Sequence, residues 1–123
     1  MPELVSIKLN KEFKRAYFQG KFKAHPLLVS YRVKNRNRQP RIGITTSKKI
    51  GCAVKRNRAR RIIRQAYREL LTECPDLFGG FDFVFVAREK TPASTSREIK
   101  EVMKKQLLLL KNQQQSRNCR PEQ

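Results

Sequence analysis

The sequence is poor in the residues from which protein-only catalytic sites and metal sites are usually built. It has no tryptophan, a single histidine (His25) and three cysteines, Cys52, Cys74 and Cys119, with no C-x-x-C pair. An odd number of widely spaced cysteines argues against a disulfide framework and against a zinc site. A Ser-His-Asp set, an H-E-x-x-H motif and a P-loop are also missing. We therefore predict no catalytic residue and no metal ligand in this chain.

Long apolar runs are absent as well. No run approaches the roughly 18 residues that a membrane span needs. The N-terminus, Met1-Pro2-Glu3, has neither the basic nor the apolar segment of a signal peptide. We therefore expect a cytoplasmic protein with no membrane partner. The 123 residues fit one domain, which we expect to span residues 1–111, followed by a polar, disordered tail over residues 112–123.

Acidic residues are missing from one contiguous half of the chain. The segment from Phe13 to Arg68 holds 18 Lys and Arg but no Asp or Glu, and it supplies nearly all of the net charge of +19. Uncompensated cations repel one another in a compact domain, and a polyanion relieves that repulsion. Nucleic acid is the polyanion that this pattern favours. A merely basic surface and a polybasic membrane patch are the alternatives.

Local patterns predict the element order α-β-β-α-β-α. Asn10 and Gly20 are typical of a helix start and a helix end. Thr95 and Glu98 form a capping box before a last helix. The predicted elements are a helix over 10–20, strands over 27–33 and 41–47 that form a hairpin, a helix over 54–72, a central strand over 81–87, and a helix after residue 95. This order indicates an α/β or α+β sandwich, one small mixed sheet with helices packed on it. The connection between residues 41 and 87 is a crossover, whose default hand is right-handed.

The helix over 54–72 separates its side chains into two faces. One face is an apolar stripe that we expect to pack on the sheet: Ala59, Ile62, Ile63, Ala66 and Leu70. The other is a cationic ribbon: Arg56, Asn57, Arg60, Arg61, Arg64 and Arg68, with Lys48, Lys49 and Lys55 near the helix start. Arginine grips phosphate with two hydrogen bonds, and a helix N-terminus attracts anions. Because no Glu precedes Glu69 in this helix, the ribbon differs from an ordinary salt-bridged solvent face.

Aromatic side chains are interspersed among the cations. Phe13, Tyr17 and Tyr31 lie on the first helix and the first strand, within the basic segment. Such rings stack on nucleobases in many RNA-binding proteins, but rings on a helix face also commonly pack in a core. The sequence leaves both interpretations open.

Three motifs together carry a resemblance to a known family. The runs SKKIG at 47–51, AVKRNR at 53–58 and RRIIRQAY at 60–67 resemble the signature of the bacterial ribonuclease P protein component. Residues 10–20 resemble the first helix of that family, and residues 82–88 resemble its last strand. The likeness covers residues 4–110 and leaves only the tail unmatched.

The resemblance implies a non-catalytic subunit of a ribonucleoprotein endoribonuclease. In that family the RNA subunit holds the active site and its magnesium ions, and the holoenzyme removes the 5′ leader from precursor tRNA. The protein binds the catalytic RNA and the leader. It would need no cofactor of its own and no further protein partner, and its β-α-β crossover would be left-handed rather than right-handed.

The resemblance also assigns roles to residues. Contact with the catalytic RNA is expected at Lys48, Lys49, Lys55, Arg56, Asn57, Arg58, Arg60, Arg61, Arg64 and Arg68. A cleft between the first helix and the sheet, with Phe13, Tyr17 and Tyr31, would hold the leader. The alternatives are another basic RNA-binding protein, such as a ribosomal protein, a stand-alone nuclease that uses His25, and a membrane-surface protein.

Overall fold

The computed structural model describes residues 5–7, 10–35, 39–46 and 48–115. These residues form five strands, three helices and three short 3-10 turns. In chain order the elements are β1 (Val5–Ser6), α1 (Asn10–Gln19), β2 (Lys21–His25), β3 (Leu28–Lys34), β4 (Arg41–Thr45), α2 (Ala53–Glu73), β5 (Phe81–Ala87) and α3 (Ser96–Gln115). The 3-10 turns are Lys48–Ile50, Pro75–Leu77 and Thr91–Ala93. The predicted mixed sheet with helices packed on it is confirmed.

The sheet has the strand order β1-β4-β5-β3-β2. The predicted central position of β5 is confirmed, because β5 pairs in parallel with β4 and antiparallel with β3. The predicted hairpin between β3 and β4 is wrong, since β5 lies between them. The physical reason is burial: the nearly continuous apolar run of β5 gains most when it is paired and covered on both sides.

Two strands are missing from the predicted element order. β2 pairs antiparallel with β3 across a two-residue turn, from His25 opposite Leu28 to Lys21 opposite Arg32. Its sequence, KFKAH, has one large apolar side chain and gives little periodic signal. β1 is two residues long and pairs in parallel with β4. The parallel β4-α2-β5 crossover is confirmed, and its left hand stays a prediction.

The main core lies between one face of the sheet and the helices α2 and α3. The predicted stripe of α2 is buried there, with Ile62 only partly covered. Tyr67 joins this core although the sequence reading did not place it there: its ring lies 5.2 Å from that of Phe78 and 5.8 Å from that of Phe85. On the helical wheel Tyr67 falls beside the arginines, but Phe78 reaches it from the segment after α2.

The last helix begins where the capping box predicts. The Glu98 backbone N–H donates to Thr95 Oγ1 at 3.2 Å, and the Thr95 N–H donates to Glu98 Oε1 at 3.1 Å. The helix then continues to Gln115. Residues 112–115 are thus helical, and the predicted division into a domain over 1–111 and a disordered tail over 112–123 stays a prediction. Residues 116–123, including Cys119, lie outside the described residues.

Among the described residues, α1 is the one helix that packs on the second face of the sheet. Ala16 of α1 is buried with Val33 and Val84, and Phe13 and Tyr31 pack against this small cluster. One ten-residue helix cannot cover five strands. Part of this face therefore stays open beside α1.

Candidate nucleic-acid interface

Three aromatic rings form a row across the open sheet face. The Tyr17 and Tyr31 ring centroids are 5.0 Å apart with an edge-on geometry, and those of Tyr31 and Phe22 are 5.3 Å apart and stacked. Tyr17 is 37% exposed and Phe22 is 54% exposed. The Tyr17 hydroxyl is hydrogen bonded to Thr45 Oγ1 in β4 at 2.7 Å. We call Tyr17, Tyr31 and Phe22 the aromatic row.

Phe13 lies beside this row but has a different environment. Its ring is half-buried and rests on Gly43 of β4, where an added Cβ would lie 2.6 Å from Phe13 Cε1. Phe13 therefore anchors α1 to the sheet, and it also lines one side of a cavity of about 440 Å³ together with Tyr17, Lys14 and Arg60. The structure thus brings the three predicted aromatics together, with Phe13 and Tyr31 partly buried and Tyr17 exposed.

Phe22 is the member of the row that the sequence reading missed. The omission follows from the missed strand β2, because only the pairing of Phe22 with Tyr31 places the two rings on one face. An aromatic residue between two lysines, Lys21 and Lys23, was the one available signal. Phe18, the next residue after Tyr17 in α1, is 86% exposed.

The cationic residues of α2 lie on the solvent side of the helix. Arg61 and Arg64 are exposed, as are Lys55, Asn57 and Arg58, while Arg56, Arg60 and Arg68 are partly covered. The motif R-N-R does not occupy a single face. Arg58 and Arg61 line a cavity of about 460 Å³ against residues 94–96 at the start of α3. Lys48 lies in the 3-10 turn, and its side chain lies outside the described part of the chain.

Arg60 connects the α2 surface to the aromatic face. Its Nη1 donates to Asn57 Oδ1 at 2.8 Å and its Nη2 donates to Thr46 Oγ1 at 2.9 Å. Thr46 follows β4 and lines the same cavity as Phe13 and Tyr17. The two surfaces that the sequence reading treated separately therefore meet at this guanidinium, which is held in place by two hydrogen bonds.

The residues around the start of α2 add further positive charge. Lys49 is exposed and lines a cavity of about 610 Å³ with Arg88, Lys90 and Val86. The Cys52 thiol precedes the first turn of α2, where the backbone N–H of Lys55 lowers its pKa. Anions are stabilised at this end of the helix for the same electrostatic reason.

An ion-pair network holds α1 against the sheet. The buried Asp82 carboxylate of β5 accepts hydrogen bonds from Arg41 Nε at 2.8 Å, from Arg41 Nη2 at 2.6 Å and from Asn35 Nδ2 at 2.7 Å. Arg41 Nη2 also lies 2.7 Å from Glu12 in the first turn of α1. These carboxylates raise the pKa of Arg41. Glu12 of α1 and Asp82 of β5 both pair with Arg41 of β4. The network therefore has a structural role, because it fixes the position of α1 on the sheet.

The described residues contain few groups suited to protein-based catalysis. Within residues 5–7, 10–35, 39–46 and 48–115, no three His, Cys, Asp or Glu side chains lie close enough together to hold a metal ion. His25 is exposed, and its Nδ1 accepts a hydrogen bond from the Leu27 N–H at 3.1 Å, which makes it part of the β2–β3 turn. No helix in the described part of the chain is long and apolar enough to cross a bilayer.

Comparisons with known proteins agree on one family. The sequence model of the family Ribonuclease P matches residues 1–112. The ribonuclease P protein component of Clostridium botulinum (strain Langeland) is 41% identical over 105 residues, which is 85% of this chain and 90% of that protein. The protein component of Clostridioides difficile is 39% identical over 98 residues, 80% of this chain and 84% of that protein.

Solved structures give the same result. The Staphylococcus aureus RNase P protein is 30% identical and superposes with a TM-score of 0.69 over 87% of this chain and 95% of that one. The RNase P protein from Thermotoga maritima is 26% identical, with a TM-score of 0.68 over 87% of this chain and 96% of that one. The chain therefore belongs to the ribonuclease P protein family, and it is a protein subunit of that endoribonuclease.

Proposed function

We propose that the chain binds the catalytic RNA of ribonuclease P through α2 and the 5′ leader of precursor tRNA across the open sheet face. The observation that carries this proposal is the position of Tyr17, which is exposed on the open face, lines the same cavity as Arg60 and contacts the partly exposed ring of Tyr31. Exposed rings next to cations suit a single nucleic acid strand, whose bases stack and whose phosphates pair with the cations.

The α2 surface suits a folded RNA rather than a flexible strand. Its exposed guanidinium groups, such as those of Arg61 and Arg64, project from a rigid helix of 21 residues. Guanidinium forks bind phosphate bidentately, and a rigid spacing matches a phosphate backbone of fixed shape. The RNA-subunit contacts proposed are Lys48, Lys49, Lys55, Arg56, Asn57, Arg58, Arg60, Arg61, Arg64 and Arg68. Phe13, Tyr17 and Tyr31 are proposed for the leader.

In this proposal the chemistry of cleavage belongs to the RNA subunit. Magnesium is expected there, and the described residues offer it no ligand set, so no step of the reaction is assigned to a metal on this chain. The protein contributes binding: it holds the leader next to the RNA to which it is itself bound. We place this function in the cytoplasm, with no membrane and no further protein partner.

Reconstitution tests the proposal directly. The purified protein is mixed with a bacterial ribonuclease P RNA, and cleavage of precursor tRNA is followed at low magnesium, with each component alone as a control. We expect cleavage only with both components. Tight RNA binding without stimulation would favour a general RNA-binding protein such as a ribosomal protein. Cleavage by the protein alone would overturn the proposal and direct attention to His25.

The leader surface has its own test. Tyr31→Ala removes the central ring of the aromatic row, so it should weaken binding of precursor tRNA more than binding of mature tRNA. The expected loss for the precursor is about 1–3 kcal/mol, the range for one stacked base. Lys104→Ala, an exposed cation on α3, serves as the control that changes charge without touching the row. Equal losses on both substrates would contradict leader binding at this face.

A further inference from the structure

The aromatic row extends beyond the cleft next to α1. Tyr17 reaches β4 through its hydrogen bond with Thr45, Tyr31 stands on β3, and Phe22 stands on β2, the last strand of the sheet. In the strand order β4-β5-β3-β2, these contacts run across the strands and end at the sheet edge. A strand of nucleic acid that follows the row would therefore leave the protein over Phe22.

Phe22 is not needed for the core. Neither of the two hydrophobic clusters includes it, and 54% of its surface is exposed. Among the described residues, its aromatic contact is the Tyr31 ring, at an interplanar angle of 27°. A ring that is held by a stacked neighbour, and is still half-exposed, offers a flat apolar surface whose orientation is already fixed.

A nucleobase is the ligand that fits this surface best. Bases stack on aromatic faces with little dependence on sequence, and each base occupies one ring. Phe22 continues a row whose other end lies at the cavity lined by Lys14 and Arg60. By contrast Phe18, although 86% exposed, stacks with no other aromatic ring among the described residues.

We propose that Phe22 is a further base-stacking position, which binds one nucleotide of the leader beyond those over Tyr17 and Tyr31. The leader then crosses the sheet from β4 to the β2 edge. This inference rests on the leader binding proposed above. It adds Phe22 to the proposed leader contacts and gives the direction in which the leader crosses the sheet.

The test uses the reconstituted holoenzyme and precursor tRNAs that carry a fluorescent purine analogue at one leader position at a time. Stacking on an aromatic ring quenches the fluorescence. With Phe22→Ala, we expect quenching to disappear at one position only. The affinity for substrates whose leader includes that position should fall about 5- to 10-fold, and that for mature tRNA should not change.

Matched variants separate stacking from structure. Phe22→Tyr keeps the ring and should restore both signals, whereas Phe22→Leu keeps the apolar volume and should not. Phe18→Ala removes an exposed aromatic outside the row and should change neither signal. A thermal melt of each variant shows that the sheet is intact.

Two results would overturn the inference and are distinguishable from a failure of leader binding itself. If Phe22→Ala changes no leader position while Tyr31→Ala still weakens precursor binding, the leader does not reach β2. If Phe22→Ala weakens precursor and mature tRNA equally, the ring serves another contact, such as a protein or a second RNA surface. If the wild type shows no leader dependence, the proposed function fails first.

Discussion

Gly43 is a position where packing and leader binding can be tested together. In Gly43→Ala the new methyl group would lie 2.6 Å from Phe13 Cε1, 2.8 Å from Phe13 Cζ and 3.4 Å from Ile7 Cβ. Carbon atoms pack at about 3.5–4.0 Å, so the Phe13 ring has to retreat by about 1 Å and move α1 with it. Overpacking of this kind lowers the free energy of unfolding by about 1–3 kcal/mol. Replacing a flexible glycine in a strand raises it by about 0.5–1 kcal/mol.

The net expectation for Gly43→Ala is a loss of about 1–2 kcal/mol in the free energy of unfolding. For a domain of this size, that lowers Tm by about 4–8 °C. The affinity for precursor tRNA should fall, while the affinity for the catalytic RNA through α2 should not change. The assays are thermal unfolding, and binding of both RNAs by the folded variant below its Tm.

A second-site variant makes the Gly43 prediction specific. Phe13→Leu removes the ring atoms that the new methyl group meets, so the double variant should be more stable than the sum of the two single effects predicts. Strict additivity would refute the proposed clash with Phe13. A Gly43→Ala protein that melts at or above the wild-type temperature would refute the packing argument as a whole.

Three further predictions address separate features. Asp82→Ala leaves Glu12 as the remaining carboxylate partner of Arg41. Because it breaks a mostly buried ion pair, it should lower the free energy of unfolding, measured in urea, by about 3 kcal/mol, and Asp82→Asn should lower it less. A loss below about 1 kcal/mol for Asp82→Ala would contradict the anchoring role. Tyr67→Phe removes a buried hydroxyl that has no hydrogen-bond partner among the described residues, so Tm should stay the same or rise. A clear fall in Tm would show that the hydroxyl does have a hydrogen-bond partner. Arg64→Ala should weaken RNA binding and reduce, by about 1, the slope of the logarithm of the binding constant against the logarithm of the salt concentration. A substitution of an uncharged residue elsewhere should leave this slope unchanged.

Features that depend on residues close in the chain could be predicted from the sequence. The start of α3 follows from Thr95 and Glu98, which are three residues apart and meet in any helix begun there. The faces of α2 follow from its 3.6-residue period, and four of the five predicted apolar positions are fully buried. The motifs around residues 47–67 also predicted the family, because they combine residue type with fixed spacing.

The sheet order could not be obtained in this way. β3 and β4 are neighbours in sequence and both read as strands, so a hairpin was the local expectation. β5 separates them, because its pairing with each strand depends on contacts with residues about 40 to 60 positions away along the chain. Local patterns carry no information about such partners.

By itself, the sequence determined the charge segregation, the two faces of α2 and the family, since each is a property of residue type and spacing. The tertiary structure alone decided which side chains meet. It placed Phe22 against Tyr31, brought Arg60 to Thr46 beside the aromatic face, and buried Tyr67 under Phe78. Each of these contacts joins different elements, and the free energy that selects them comes from burying surfaces that exist only after the sheet has formed.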